Sequence, residues 1–180
     1  RDSSVWPQDP QFGLALEGGV TSLQILPGSA NLFGGRGVTL KNVPSRTVMG
    51  MKFPDAPHGL KMACGENPKR VYGTRKSAPS TRMGNVAGYR AEWLKALEYK
   101  AKWDAYDPTG DKPAPARDLK LETLVGVLDG DILVHNHCYR ADEMATMIEI
   151  AKEFGYKIGT VHHAVESYKI ADLLAKEGIC

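Results

Sequence analysis

Much that would assign a chain at a glance is scarce or missing here. Three cysteines in 180 residues, an odd number with no metal or disulfide spacing, exclude a zinc-finger or disulfide-framework protein. Cys64, Cys138 and Cys180 read as small buried or free thiols. No run of roughly 18 apolar residues occurs, which excludes an apolar membrane-spanning helix. No charge sign dominates: the net charge is +2, too mild to imply nucleic acid. The densest basic stretch, Lys69-Arg70 to Arg75-Lys76, reads as a solvated loop. The glycine-rich stretch from Leu26 to Gly37 lacks both the Gly-Lys-Ser/Thr ending of a P-loop and the Gly-x-Gly-x-x-Gly fingerprint. It either lines a substrate pocket with Ser29, Asn31 and Arg36 or is a tight structural loop. No signal peptide is visible in these residues. The chain begins at Arg1 and stops at Cys180 just after a helical pattern, so it reads as a piece of a longer protein. Its location stays open between cytoplasm and periplasm or secretion.

What is present is 42% apolar residues, enough for one domain with a core. Asp9-Pro10 starts a helix that Gly18-Gly19 ends. A strand follows over 20–26, then short extended pieces near 38–40 and 47–51. A buried strand over 60–64 is closed by the turn Gly65-Glu66-Asn67-Pro68, and 69–82 is a long polar connection. Helices are expected over 87–106 and 119–128. The last fifty or so residues alternate strand 132–137, helix to Gly155, strand 157–162 and a helix carrying Tyr168, Ala171 and Leu174. That β-α-β-α order is the mark of a parallel sheet with neighbouring strands. A closed (β/α)8 barrel takes at least 200 residues or so. About five strands are legible, so the fold class is α/β: an open sheet or a partial TIM-type barrel.

Histidine is scarce too, and its placement is the strongest signal. Four of the five histidines end the two parallel strands, as Ile132-Leu-Val-His-Asn-His137 and Ile158-Gly-Thr-Val-His-His163. Carboxyl ends of parallel strands form the face where α/β proteins do chemistry, and imidazole is the commonest metal ligand. His135 and His137, two apart on a strand, share a side. His137, nearer the rim, is the better ligand, and His135 lies one layer below. His162 and His163 point opposite ways, so one is a ligand. His163 is preferred, leaving His162 to pack outward or touch a neighbouring loop. Glu66, just past the strand 60–64, is a third candidate, and two His with one Glu suit zinc with a position left for water. Lys61, costly to bury inside an apolar strand without a task, is its rival; a carbamylated lysine is a carboxylate by another route. Arg140 and Tyr168, each just past one of these strands, are candidate substrate contacts, with Asn31.

The segments Gly18 to Leu32, Gly59 to Tyr72 (GLKMACGENPKRVY) and His137 to Met144 (HCYRADEM) resemble the amidohydrolase superfamily, most closely its imidazolonepropionase-related branch. The resemblance implies a TIM-type barrel with one or two divalent ions, usually zinc, that hydrolyses C–N bonds through a metal-activated water. By position His137 is similar to the fifth-strand ligand, His163 to the sixth-strand ligand, and Glu66 or Lys61 to the bridging ligand, Glu66 preferred. The family's first-strand His-x-His, its eighth-strand Asp and its β-sandwich have no counterpart. Residues 1–180 thus look like strands two to six of such a barrel, inactive alone. The implied partners are a small-molecule substrate, and a second copy or the missing barrel segments; nucleic acid and membrane are not expected. A stand-alone, non-catalytic α/β binding module is the alternative.

Overall fold

A computed structural model describes residues 4–180. Its centre is one curled five-stranded sheet, a half-barrel, in the order β1 (Ser22–Ile25), β2 (Phe33–Lys41), β3 (His58–Ala63), β4 (Ile132–Cys138), β5 (Ile158–His163). The expected parallel pairing holds for β3, β4 and β5, whereas β1 and β2 join antiparallel. The architecture is therefore a mixed α/β sheet, with its parallel half at the histidine-bearing strands. Beyond β5 the chain returns to the sheet. Val161 N donates to Cys180 O (2.8 Å) and Cys180 N to Gly159 O (3.1 Å), the exchange of a parallel neighbour.

The helices are α1 (Pro10–Glu17), α2 (Val48–Met51), α3 (Glu66–Thr74), α4 (Arg82–Asp104), α5 (Leu119–Leu128), α6 (Ala141–Phe154) and α7 (Ala171–Lys176), with a 3₁₀ turn over Ser167–Ile170. Local chemistry sets their ends. Asp9 accepts from Gln11 N at 2.9 Å with Pro10 in the first turn, and Asp118 accepts from Lys120 N and Leu121 N; both satisfy amides that a helix start leaves open. Gly155, left-handed at φ 77°, ends α6 where a side chain would be strained.

Alternation along β3 and β4 separates two faces. Leu60, Met62, Val134 and Cys138 enter the main core, with Tyr89 and Trp93 from α4, Leu124 from α5, and Met144, Met147 and Ile148 from α6. Trp93 stacks on Tyr156 at 4.3 Å between centroids, and Phe33 meets it edge-on. The other face carries Lys61 opposite His135 and Ala63 opposite His137. A smaller cluster of Val38, Leu40, Val48 and Met51 supports β1 and β2. Among the described residues no helix is long and apolar enough to cross a membrane.

Several local expectations are corrected. Residues 66–74 form α3 rather than a turn and polar connection: Pro68 sits in the first helical turn, where no intrahelical N–H donor is required. The segment 33–41 is a full strand, not a glycine loop, with an irregular register between Phe33 and Gly35. Residues 48–51 are a helical turn capped by Thr47. Helix α4 begins earlier than expected because Thr81 Oγ1 accepts from Gly84 N at 2.9 Å. Cys64 and Cys138 are not free thiols; they form a disulfide with Cα atoms 5.2 Å apart, inside the span a bridge accommodates. The parallel register explains it. Ala63 pairs with His137, so the next residues along, Cys64 and Cys138, fall side by side at the carboxyl ends of their strands. Cys180 alone is free among the described cysteines, and exposed.

Candidate functional site

The four strand-end histidines converge on one face. Register fixes most of this: Lys61 pairs with His135, Ala63 with His137 and His137 with His162. His135 Nδ1 lies 3.2 Å from His162 Nε2, and His135 Nε2 lies 3.2 Å from Gln24 Nε2 on β1. His162, expected to pack outward or touch a neighbouring loop, does not pack outward: as the register partner of His137 it shares that face. Its neighbour does not point cleanly away either. His163 has a left-handed backbone, φ 66°, which breaks the strand alternation, and its ring centroid lies 4.5 Å from that of His137. Both histidines of the adjacent pair thus reach the cluster. Gly59 makes room for it, since a Cβ there would stand 2.8 Å from the His135 ring.

His137 is 1% exposed. Its Nε2 lies 3.1 Å from Asn67 Nδ2, while its buried Nδ1 has no hydrogen-bond partner. Burial, then the neighbouring His163, Lys61 and His162, lower its pKa to about 4. Burial, then His162 and Lys61, also lowers His135, and burial, then Lys61 and His163, lowers His162. All three are neutral imidazoles at pH 7, the protonation state a metal ligand needs.

Asn67 is a contact the sequence did not suggest. With residues 66–68 taken for a turn, nothing marked it; as the second residue of α3 it faces the end of β4. Glu66, the first residue of that helix, is exposed, and no contact joins it to the histidines. Lys61 is 5% exposed and donates to Ser29 Oγ at 2.7 Å and Pro27 O at 3.3 Å; burial lowers its pKa. Arg140 is exposed and paired with Asp142 at 2.9 Å. Tyr168 is exposed in the 3₁₀ turn, near Lys169. Asn31 accepts from Tyr72 OH at 2.5 Å and lines a separate cavity of about 1030 Å³ between β2, α4 and α5, which none of the four histidines borders.

The geometry thus unites His135, His137, His162, His163, Asn67 and Lys61. It does not gather Glu66, Arg140, Tyr168 or Asn31 around them. Among the described residues no group of three or more His, Cys, Asp or Glu is arranged to hold a metal ion.

No family model matches the chain. It is 34% identical over 187 residues to the amidohydrolase tasK of Hapsidospora irregularis, a match covering 94% of this chain and 19% of that protein. It superimposes with a TM-score of 0.89 and 44% identity on the crystal structure of an amidohydrolase from Thermotoga maritima MSB8, over 96% of this chain and 44% of that one. Both relatives are named amidohydrolases. The similarities support the amidohydrolase family for this chain, without distinguishing the imidazolonepropionase-related branch. The chain spans about a fifth of the curated relative and under half of the solved one.

Proposed function

We propose that the chain forms the central part of a metal-dependent hydrolase barrel acting on C–N bonds, amide, lactam or peptide-like, and that His137 and His163 are two of its zinc ligands. The observation that carries this reading is the meeting of these two imidazoles at the carboxyl rim, with a buried, unpartnered Nδ1 on His137, in a chain similar to two amidohydrolases.

The residues present fit part of such a centre. Imidazoles are the right donors, but two of them fall short of the three protein ligands common in catalytic zinc sites. The further ligands would come from strands beyond this chain or from Glu66, the first residue of α3. When bound, the ion supplies Lewis acidity and a water with a pKa near 7. The chain's own residues do the rest. Asn67 fixes the His137 ring from the Nε2 side. His135, held between Gln24 and His162, braces the layer beneath. The Cys64–Cys138 bridge ties the end of β3, just ahead of the helix that carries Asn67, to the end of β4, from which His137 projects. The substrate is a small molecule entering at this rim.

Zinc binding tests the reading. Calorimetric titration of the 180-residue chain should show one weak site, lost in His137→Ala and in His163→Ala while both variants stay folded by circular dichroism. Hydrolysis of amide and lactam substrates by the chain alone should be negligible, since its ligand set is incomplete. Zinc binding unchanged in both variants, or full zinc-dependent turnover by the chain alone, overturns it.

A further inference from the structure

Lys61 is a buried ammonium without a counter-charge. Its side chain lies on the histidine face, between Gly35 of β2 and His135 of β4. Its acceptors, Ser29 Oγ and Pro27 O, are both neutral. No carboxylate of the described residues pairs with it, and burial alone shifts its pKa. A buried charge is expensive unless it is paired. Its register partners on the neighbouring strands, Gly35 and His135, bring no carboxylate either.

Two hydrogen-bond donors remain at this point. An ammonium has three N–H groups and a hydroxyl has one O–H. Lys61 donates twice, and Ser29 takes part as an acceptor, so one N–H and one O–H at neighbouring atoms are left to offer. We propose that Lys61 and Ser29 form a subsite for a carboxylate, the anionic group of the substrate. Charge balance selects the class: one ammonium matches a monoanion, whereas a phosphate dianion would leave a buried charge over. A carboxylate also presents two oxygens to two adjacent donors, in charge-assisted bonds stronger than neutral ones. Residues 26–32 supply both Ser29 and Pro27 to Lys61, so the substrate's acid end is held on the β2–β3 side and its scissile bond lies toward His137. Only the identification of this anion as part of a substrate rests on the hydrolase reading.

The test is calorimetric titration of the 180-residue chain, in chelator, with acetate, inorganic phosphate and acetamide. Acetate should bind the wild type, and binding should weaken about tenfold or more in Lys61→Met and less in Ser29→Ala. Lys61→Arg, which keeps the charge, should retain it, and acetamide should not bind. Lys61→Met removes an unpaired buried charge and is expected to fold, which circular dichroism checks; if it does not, Lys61→Arg and Ser29→Ala decide. Equal acetate affinity in Lys61→Met, no acetate binding by the wild type, or tighter binding of phosphate overturns the proposal. So does a carbamate on Lys61, detected by carbon NMR after labelling with bicarbonate, because that group brings its own negative charge. Chelator keeps the two readings apart: loss of anion binding leaves the zinc titration untouched, and the reverse.

Discussion

His137 sits almost fully buried with one ring nitrogen unpartnered, which fixes a pH dependence. Its folded-state pKa is about 4 against an ordinary value of 6.5. Between these values the unfolded chain binds more protons than the folded one, so stability rises with pH across that window. The contribution is fully present above pH 6.5, falls as pH drops toward 4 and is flat below. One such group gives a slope of at most about 1.4 kcal/mol per pH unit. His135 and His162, also lowered by burial, steepen it. Urea unfolding in chelator should therefore show stability falling from pH 7 to pH 4, with a shallower slope in His137→Asn. An identical slope in that variant would mean the ring is protonated in the folded state. Most buried side-chain nitrogens have a hydrogen-bond partner, so the open Nδ1 of His137 marks the residue that is assigned a task.

Between elements, the decisive joint is β3 with β4. Six paired residues run from His58↔Ile132 to Ala63↔His137, and Cys64 N donates to His137 O at 2.8 Å just beyond. The disulfide closes this joint across a sequence separation of 74 residues. Constraining a loop of that size stabilises a domain by about 2–4 kcal/mol. The double variant Cys64→Ala/Cys138→Ala should lose that much in urea unfolding. Thiol alkylation of the denatured, unreduced chain should label Cys180 alone; labelling of Cys64 and Cys138 as well would refute the bridge. The same joint shows what the sequence could and could not disclose. Strand identity and helix order in the last third were readable, because apolar strand, amphipathic helix and terminal glycine recur there without interruption. The meeting of His137 with His163 was readable in outline from two strands ending alike. The bridge was not, because it depends on register, and a separation of 74 residues carries no mark of register. Asn67 was hidden by Pro68, which marks a turn as readily as the first turn of a helix. His162 was misplaced because strict alternation fails where His163 turns left-handed, and nothing in a His-His pair announces that. Strand β2 was obscured by Gly34, Gly35 and Gly37, residues that usually weaken a strand.

At the scale of the whole molecule, the half-barrel leaves more apolar surface open than a closed barrel would. The first strand is an unpaired antiparallel edge of four residues, and unpaired edges recruit other strands. In the chain just ahead of it Trp6, Leu14, Leu16 and Val20 are exposed, Leu14 at 66%. The cavity of about 1030 Å³ between β2, α4 and α5 is faced by Leu32, Phe33, Leu60 and Leu124, a lining that water wets poorly. The opposite edge differs, because Cys180 already engages β5 there. Association should therefore proceed through the β1 side. Exposed apolar surface next to an open strand edge favours self-association. The isolated 180-residue chain should form concentration-dependent oligomers in sedimentation velocity. Leu14→Lys with Val20→Lys places charge beside the open edge and should shift the distribution toward monomer, leaving the circular dichroism spectrum unchanged because neither side chain is buried. A wild-type chain that stays monomeric at every accessible concentration would show that the half-barrel covers this side by itself.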